Sequence, residues 1–335
     1  MNETRDQLGR PLRDLRISVT DRCNFRCGYC MPKEVFGAAH RFLPHAEVLT
    51  FEEIARVAQV CAGLGVEKVR LTGGEPLLRR ELWKLVRMIS RINGVREVTL
   101  TTNGSRLAEE ARALREAGLS RLTVSLDALD DATFRAMNGV DFPVSRVLRG
   151  IDAALAAGFT PLKLNMVVQR GVNDGEIEAT VRRFHGPEFV LRFIEYMDVG
   201  NSNGWRMNDV VPAKEILERI ERETSLETLP RRHPSETALR FRVASGGEIG
   251  VIASVTQPFC RDCSRARLTA DGRLFTCLFA EIGHDLRGPL RAGASDEELT
   301  GQVRRIWGLR TDRYSELRAT LKDRASKVEM SVVGG

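Results

Sequence analysis

Apolar residues occur along this chain in short strand-like runs that alternate with longer segments of helical periodicity. Runs rich in Val, Ile, Leu and Thr predict strands, and segments with apolar residues every three or four positions predict amphipathic helices. The predicted strands span 15–20, 68–72, 98–102, 122–126, 162–168 and 190–196. The predicted helices span 51–64, 81–92, 107–117, 145–157 and 176–185. This alternation indicates parallel strands joined by right-handed helical crossovers.

The order of these segments leaves two architectures, a doubly wound sheet or part of a β/α barrel. No G-x-G-x-x-G motif opens a helix, which weakens the case for a dinucleotide-binding sheet. Polar residues recur where the predicted strands end, and active sites of barrels lie at the C-terminal ends of their strands. We therefore predict an α/β fold, a six-unit partial (β/α) barrel.

The alternation stops at residue 211, where a different pattern begins. A helix-like segment at 213–222 leads into a charged connector at 223–234, and strand-like runs at 238–243 and 248–254 predict an antiparallel addition. The predicted units are a barrel at 1–210, a C-terminal α+β extension at 211–325 and a flexible tail at 326–335 that ends in Gly-Gly.

Composition narrows the class of protein. The 335 residues are 42% hydrophobic and 29% charged, which is typical of a globular protein. The formal charge of +6 suits an anionic small molecule as well as a nucleic acid. We find no apolar signal core and no run long enough to span a membrane, so we expect a cytoplasmic protein with no membrane or nucleic-acid partner. Six of the seven cysteines form two groups, and Cys61 lies on a helical pattern that indicates core packing.

The first cysteine group follows the first predicted strand. Cys23, Cys27 and Cys30 have C-x3-C-x2-C spacing. Three thiolates can hold three corners of a cubane iron–sulfur cluster and leave its fourth iron open to another ligand. A structural zinc loop or buried thiols are the alternatives, although zinc sites usually pair two C-x2-C units.

A second candidate group follows the second predicted strand. Gly73 and Gly74 would let the backbone approach a ligand closely, and Glu75 offers a carboxylate acceptor. A plain tight turn is the alternative interpretation. Polar side chains also lie on the following strands, at Thr101, Ser125, Lys163 and Asn165. Together these groups predict a lined pocket, with the loop at 195–205 over its open end.

The second cysteine group lies in the extension. Cys260 and Cys263 precede an Asp-Gly hairpin signal at 271–272, which would bring Cys277 back towards them. Three cysteines again fall one ligand short of a closed site. A zinc knuckle completed by a histidine is the alternative, and of the five histidines only His284 lies near in the sequence.

Two arginines lie between this cysteine pair and the hairpin turn. Arg265 and Arg267 alternate along a predicted strand, so both face the same side of it. Neighbouring guanidinium groups form a forked set of donors that suits phosphate.

The cysteine loop and the glycine turn resemble a known enzyme family. Segments 23–32 (CNFRCGYCMP) and 73–76 (GGEP) are similar to the signature of the radical S-adenosylmethionine (SAM) enzymes. From about residue 12 to 335 the chain resembles, more narrowly, the GTP 3′,8-cyclases, which begin the biosynthesis of the molybdenum cofactor. The matching parts are 23–32, 70–79, 100–104, 194–205, 259–269, Cys277 and the Gly-Gly ending, with no departure from the family pattern.

The resemblance implies two 4Fe–4S clusters, with SAM consumed as co-substrate. The implied metal ligands are Cys23, Cys27 and Cys30 for the first cluster and Cys260, Cys263 and Cys277 for the second. In that family the first cluster binds SAM at its open iron and reduces it to methionine and a 5′-deoxyadenosyl radical. The implied SAM contacts are Tyr29, Gly74, Glu75, Ser125, Asn165 and Met197.

The resemblance also implies GTP as substrate. The implied GTP contacts are Arg16, Arg70, Thr101, Lys163, Arg265, Ala266 and Arg267. The radical would remove the C3′ hydrogen of GTP, C3′ would bond to C8 of guanine, and reduction would give 3′,8-cyclo-7,8-dihydroguanosine triphosphate. The second cluster would contact the guanine. The implied catalytic residues are the first three cysteines, Arg16, Arg265, Arg267, and Gly334 and Gly335, whose tail would dock near these arginines. Expected partners are an electron donor, a downstream cyclic pyranopterin monophosphate synthase and a second copy in a homodimer.

Two other functions compete with this one. A peptide-modifying radical SAM maturase would resemble the first half, but its extension usually carries more than three cysteines. A basic metal protein that binds nucleic acid would show clustered basic and aromatic residues, whereas aromatics are only 6% of this chain and its basic residues are spread out.

Overall fold

A twelve-stranded sheet organises the computed structural model, which describes residues 3–318 and 327–334. Its centre is six parallel strands that neighbour one another in sequence order, as predicted for a six-unit partial barrel. These strands are β1 (Asp14–Ser18), β2 (Lys68–Thr72), β3 (Glu97–Thr102), β4 (Arg121–Ser125), β5 (Leu162–Val168) and β6 (Phe189–Glu195). The sheet remains open, and each of the six strands begins and ends within two residues of its predicted bounds.

Helices connect the six strands and cover one face of the sheet. They are α1 (Phe51–Gly63), α2 (Leu82–Ser90), α3 (Leu107–Glu116), α4 (Asp131–Asn138), α5 (Val144–Ala156) and α6 (Ile177–Arg183). Helix α1 begins at a capping box, in which Thr50 accepts from the Glu53 amide and Glu53 accepts from the Thr50 amide. The apolar pattern predicts five of these helices and misses α4.

The extension adds strands to both edges of the six. Strand β9 (Glu248–Ile252) pairs in parallel with β6 and continues antiparallel to β8 (Leu239–Val243) and β7 (Leu226–Leu229). Strand β10 (Arg265–Leu268) pairs in parallel with β1 and continues antiparallel to β11 (Arg273–Phe275) and β12 (His284–Asp285). The two antiparallel hairpins confirm the predicted additions, and Gly272 in the second turn has φ +81°.

The remaining helices are α7 (Ala213–Glu221), α8 (Arg287–Arg291), α9 (Asp296–Gly308), α10 (Tyr314–Leu317) and α11 (Met330–Val333). The prediction of a connector without strands at 223–234 is wrong, because this segment contains β7. Strand β7 lies at the outer edge of the sheet, where it has one neighbouring strand and its polar side chains can remain in water. None of the described helices is both long and apolar enough to cross a membrane.

The strands present different chemistry on their two faces. On β1, Leu15 and Ile17 are fully buried against the helices, whereas Arg16 and Ser18 point to the inner face. Cys61 on α1 is fully buried in the same apolar core, which confirms its assignment to packing. The inner face is therefore the place where the polar side chains of neighbouring strands meet.

Candidate active site

The first cysteine group occupies the loop that follows β1. Cys23, Cys27 and Cys30 are free thiols, and the Cys23 and Cys30 thiols lie close enough to influence the pKa of Cys27. Burial is the main cause that raises the pKa of all three, to about 11 for Cys23. Thiols of this kind lose their protons when they bind a metal centre, because the thiolate is the ligand.

The glycine turn after β2 holds this loop through its backbone. The amide of Gly74 donates to the carbonyl of Thr20 at 2.8 Å, and the amide of Glu75 donates to the carbonyl of Arg22 at 2.8 Å. A Cβ on Gly74 would lie 2.2 Å from the Arg22 carbonyl oxygen, and Gly73 has φ +149°. The close backbone approach predicted for a ligand is therefore made, in the described structure, to the cysteine loop.

The Glu75 carboxylate joins the ends of β2 and β3. Its Oε1 accepts from the Thr102 hydroxyl at 2.6 Å and from the Leu77 amide at 3.0 Å, and its Oε2 accepts from the Asn103 amide at 2.7 Å. Burial raises the pKa of Glu75 to about 7, although these hydrogen bonds act in the opposite direction. The predicted contact of Glu75 with SAM stays a prediction, because both oxygens already position the strand ends.

Helix α4 is a second support for the cysteine loop, and sequence reasoning missed it. The Arg26 amide donates to the Asn138 carbonyl at 2.7 Å. Gly139 ends the helix with φ +67°, and a Cβ there would lie 2.2 Å from the Arg26 carbonyl oxygen. The Asn138-Gly139 pair is a helix C-terminal signal that could have indicated this element.

The other predicted SAM contacts lie on β4 and β5, in the loop after β6 and in the cysteine loop itself. Ser125 and Asn165 are register partners, and the Asn165 Oδ1 is buried with no hydrogen-bond partner among the described residues. The Tyr29 hydroxyl donates to Asp127 Oδ2 at 2.8 Å. Met197 packs with Tyr29 and Cys30 on one small apolar cluster. Met197 and Tyr29 therefore lie at the first cysteine group, whereas the predicted SAM contacts of Ser125 and Asn165 stay predictions.

A row of arginines crosses the inner face of the sheet. Arg16 on β1 is the register partner of Arg267 on β10 and of Arg70 on β2, so the three side chains lie on one face. Burial, followed by the charges of Arg267, Arg70 and Arg265, holds the pKa of Arg16 well below its usual value. The Arg70 guanidinium also donates to the hydroxyl of Thr101 at 2.9 Å.

Lys163 on β5 belongs to the same group of charges. Burial, followed by the charges of Arg192 and Arg121, lowers its pKa to about 5. Sequence reasoning missed Arg121, Arg192 and Lys68, which also influence this pKa. Their strand positions have the same inward parity as Arg70 and Lys163, which is the signal that could have found them.

The five predicted GTP-binding cations differ from the neighbours that sequence reasoning missed. Within residues 3–318 and 327–334, those neighbours pair with carboxylates: Arg121 with Glu97, Lys68 with Asp14 and Glu97, and Arg192 with Glu236. Over the same residues, no ion pair is formed by Arg16, Arg70, Lys163, Arg265 or Arg267. The Arg267 Nε is also buried without a hydrogen-bond partner. The four arginines therefore give the inner face positive charge without a carboxylate partner among the described residues, and a bound polyanion would stabilise this charge and the protonated form of Lys163.

The second cysteine group lies beside Arg267. Burial opposes ionisation of Cys263, but the charges of Arg265 and Arg310 lower its pKa to about 6, which favours the thiolate form. Burial, Asp312 and Cys263 raise the pKa of Cys277 to about 12. Both thiols influence the pKa of Arg267, which connects this group to the row of cations.

Arginines fix the backbone of this second loop. Arg10 donates to the Cys260 carbonyl at 2.9 Å, and Arg310 donates to the Cys263 carbonyl at 2.7 Å. His284 is exposed on β12. Over the described ranges, no three His, Cys, Asp or Glu side chains converge on one metal ion. Ligands of a cubane bind separate irons and need not converge on one point, so three free thiols in each loop fit a cluster with one open corner.

The C-terminal segment reaches the inner face beside β1 and β2. The Ser18 hydroxyl donates to the Val332 carbonyl at 3.0 Å. Gly334 has φ +67°, and a Cβ there would lie 2.4 Å from the Thr72 Cγ2. Gly335 lies outside the described residues, and the predicted contact of the tail with Arg16, Arg265 and Arg267 stays a prediction.

Comparison with known proteins assigns the chain to a family. A model described as the radical SAM superfamily matches residues 17–184, and one described as Molybdenum Cofactor Synthesis C matches residues 189–316. A GTP 3′,8-cyclase of Acidothermus cellulolyticus is 55% identical, with 99% of each chain covered. The chain belongs to the GTP 3′,8-cyclase family. Relatives of the same name from Staphylococcus epidermidis and Xanthomonas axonopodis pv. citri are 47% and 49% identical, each with 98% of both chains covered.

Two solved structures of another protein have a fold similar to that of this chain. Streptococcus suis SuiB bound to S-adenosylmethionine has a TM-score of 0.62 at 16% identity, over 88% of this chain and 68% of that one. SuiB bound to precursor peptide SuiA has a TM-score of 0.60 at 15% identity, over 96% and 76%. At this identity the likeness concerns the fold alone. Membership of the radical SAM superfamily implies SAM and an iron–sulfur cluster, and the first cysteine group fits that cluster.

Proposed function

We propose that this protein converts GTP and SAM to 3′,8-cyclo-7,8-dihydroguanosine triphosphate, the first step in molybdenum-cofactor biosynthesis. One observation carries the proposal: five basic residues that form no ion pair within the described residues lie on the inner face, and one of them, Arg267, lies beside the second cysteine group. A triphosphate supplies the negative charge that such a surface needs. The full-length relatives named GTP 3′,8-cyclase support the choice of GTP.

The first cysteine group and the surrounding strand ends would form the SAM side of the site. Cys23, Cys27 and Cys30 would hold a 4Fe–4S cluster, which together with SAM supplies a 5′-deoxyadenosyl radical when reduced. Gly74 fixes the loop by backbone contact, and the unpartnered Asn165 Oδ1 offers an acceptor to the ligand. Ser125, Tyr29 and Met197 would complete the SAM contacts. Glu75 would position the ends of β2 and β3 next to them through its hydrogen bonds.

The row of cations would hold the triphosphate. Arg16, Arg70 and Arg267 are adjacent on three strands, so one phosphate chain could contact all three. Lys163, Thr101 and the 265–267 strand would add the remaining contacts. These contacts would hold the triphosphate in one position, and a substrate fixed in this way would lose less entropy on reaching the geometry for C3′ hydrogen abstraction and C3′–C8 bonding.

The second cysteine group would hold another 4Fe–4S cluster, with the guanine at its open corner. Three free cysteines and the lowered pKa of Cys263 support a metal site there. We propose the remaining features with it: a barrel unit at 1–210, an extension at 211–325, a cytoplasmic location, an external electron donor, a homodimer and transfer of the product to a cyclic pyranopterin monophosphate synthase.

An anaerobic assay tests the proposal directly. Reconstituted enzyme is given dithionite, SAM and GTP deuterated at C3′, and the products are separated and weighed by mass spectrometry. We expect the cyclised triphosphate to form together with 5′-deoxyadenosine that carries the deuterium. Cys27→Ser should remove both products, whereas Cys61→Ser should retain them. Deuterium that stays in unchanged GTP while SAM is cleaved would refute the assignment.

A further inference from the structure

The loop after β6 contains a buried carboxylate that accepts hydrogen bonds from three side chains of the C-terminal part of the chain. Asp198 has only 3% of its surface exposed. Its Oδ2 accepts from the Tyr314 hydroxyl at 2.7 Å and from Lys327 Nζ at 2.8 Å, and its Oδ1 accepts from Arg318 Nε at 2.9 Å. Lys327 Nζ also donates to the Asp198 carbonyl at 2.8 Å. One carboxylate therefore joins three side chains that follow α9.

A second contact holds the same two segments together. Glu329 accepts from the Asn201 amide at 3.0 Å and from the Ser202 hydroxyl at 2.7 Å. Gly200 has φ +75°, and a Cβ there would lie 2.2 Å from the Glu329 Oε2. The loop at 198–202 thus binds both residue 327 and residue 329 by hydrogen bonds, and it leaves no room for a larger side chain at residue 200.

The bound segment continues directly into the inner face. Met330 and Val333 are buried, and the Val332 carbonyl and Gly334 lie against Ser18 and Thr72. Met197, the chain neighbour of Asp198, and Met330 of the same segment belong to one apolar cluster with Tyr29 and Cys30. The segment that Asp198 holds therefore also contacts the residues around the first cysteine group.

We propose that Asp198 is a positioning residue, which anchors segment 327–334 and thereby holds the end of the chain beside the reacting substrate. The inference rests on the proposed function. Without this carboxylate, Lys327 and Arg318 would each lose a charge-assisted hydrogen bond to a buried counter-charge, and the segment would be held less firmly. Release of the segment would uncover the ends of β1 and β2 to water, where the radical must meet only GTP.

The test uses the full-length reconstituted enzyme in a double-substitution cycle. Asp198→Asn, Lys327→Met and the combination are compared with Glu316→Gln, which removes only an exposed contact to Arg313. Hydrogen exchange of the C-terminal peptide is measured by mass spectrometry, because it reports release of the segment without turnover. We expect each single substitution to speed exchange by roughly tenfold or more, the combination to add little, and Glu316→Gln to change nothing. Unchanged exchange in both single variants, or losses that simply add, would overturn the anchor.

Product analysis separates this anchor from the proposed function. We expect both single variants to form at least about tenfold less cyclised product per 5′-deoxyadenosine released. A synthetic peptide of residues 327–335 should partly restore Lys327→Met, which keeps Asp198, and should fail to restore Asp198→Asn. Equal rescue of the two variants would contradict the role of Asp198. If the native enzyme makes no cyclised product, the proposed function fails, and the exchange cycle still decides on the anchor.

Discussion

Lys163 should couple GTP binding to proton uptake. In the free protein its pKa is about 5, because it is buried among Arg192, Arg121, Arg70 and Lys68. At pH 8 a group with this pKa is charged in roughly one molecule in a thousand. A bound triphosphate adds several negative charges to the same face, which favours the charged form and raises the pKa towards the usual value of about 10.4.

The sign of the pH effect follows from these two pKa values. The favourable coupling is fully present below the free-state pKa of about 5 and is lost as the pH rises through the pKa of the complex. Between the two values, binding takes up about one proton at Lys163, and this contribution weakens affinity by up to about tenfold per pH unit.

Isothermal titration with GTP, without SAM or reductant, measures the uptake. At pH 8 the terminal phosphate of GTP is already deprotonated, so the slope of binding enthalpy against buffer ionisation enthalpy reports protein groups. We expect Lys163→Gln to remove close to one proton from the slope found for the native enzyme. Lys214→Gln, with 87% of its side chain exposed, should leave the slope unchanged. Equal slopes for the native enzyme and Lys163→Gln would refute the reasoning.

Three further predictions concern the cysteine groups and the phosphate cations. Anaerobic reconstitution should give about eight irons per chain in the native enzyme and about four in Cys260→Ser, whereas Cys61→Ser should keep the full iron content. An unchanged iron content in Cys260→Ser would exclude a second cluster. Arg265→Ala and Arg267→Ala should each weaken GTP binding by roughly tenfold or more and keep iron content, while exposed Arg242→Ala should bind normally; unchanged affinity would contradict the phosphate contacts. Gly74→Ala should lose the first cluster, because its Cβ would lie 2.2 Å from the Arg22 carbonyl oxygen, whereas Gly63→Ala has open space; full iron content in Gly74→Ala would show that the loop can shift.

The sequence predicts the six central strands well because each has a local signature. Alternation of buried and inward positions, as at Leu15, Arg16 and Ile17, follows from the period of a strand and needs no tertiary information. The Ser295–Glu298 capping box is an equally local signal, and it could have indicated α9, which sequence reasoning missed. Helix α4 is only eight residues long, and its pattern is correspondingly weak.

The candidate site is less accessible to sequence reasoning, because it depends on long-range register. Arg121 and Arg192 stand at inward strand positions, but nothing local distinguishes a charge in a barrel from one in water. The carboxylate of Glu75 suggests a ligand contact from its motif, whereas its actual hydrogen bonds go to Thr102, Leu77 and Asn103. Asp198 gives no signal at all, since its partners lie 116 to 129 residues away.

The extension contributes to the site through the edges of the sheet, which gives the two parts of the chain one shared active face. Six parallel strands alone would leave β1 and β6 with unpaired edges, and β10 and β9 pair with them. The register of β10 sets Arg267 opposite Arg16, so the row of cations is complete only when the extension is in place. The same strand follows Cys263 in the sequence. The backbone hydrogen bonds between β10 and β1 therefore also fix the second cysteine group relative to the row of arginines on the inner face. A shift of β10 by one residue would turn Arg267 to the opposite face and separate the two features, so their proximity depends on the register of this one strand.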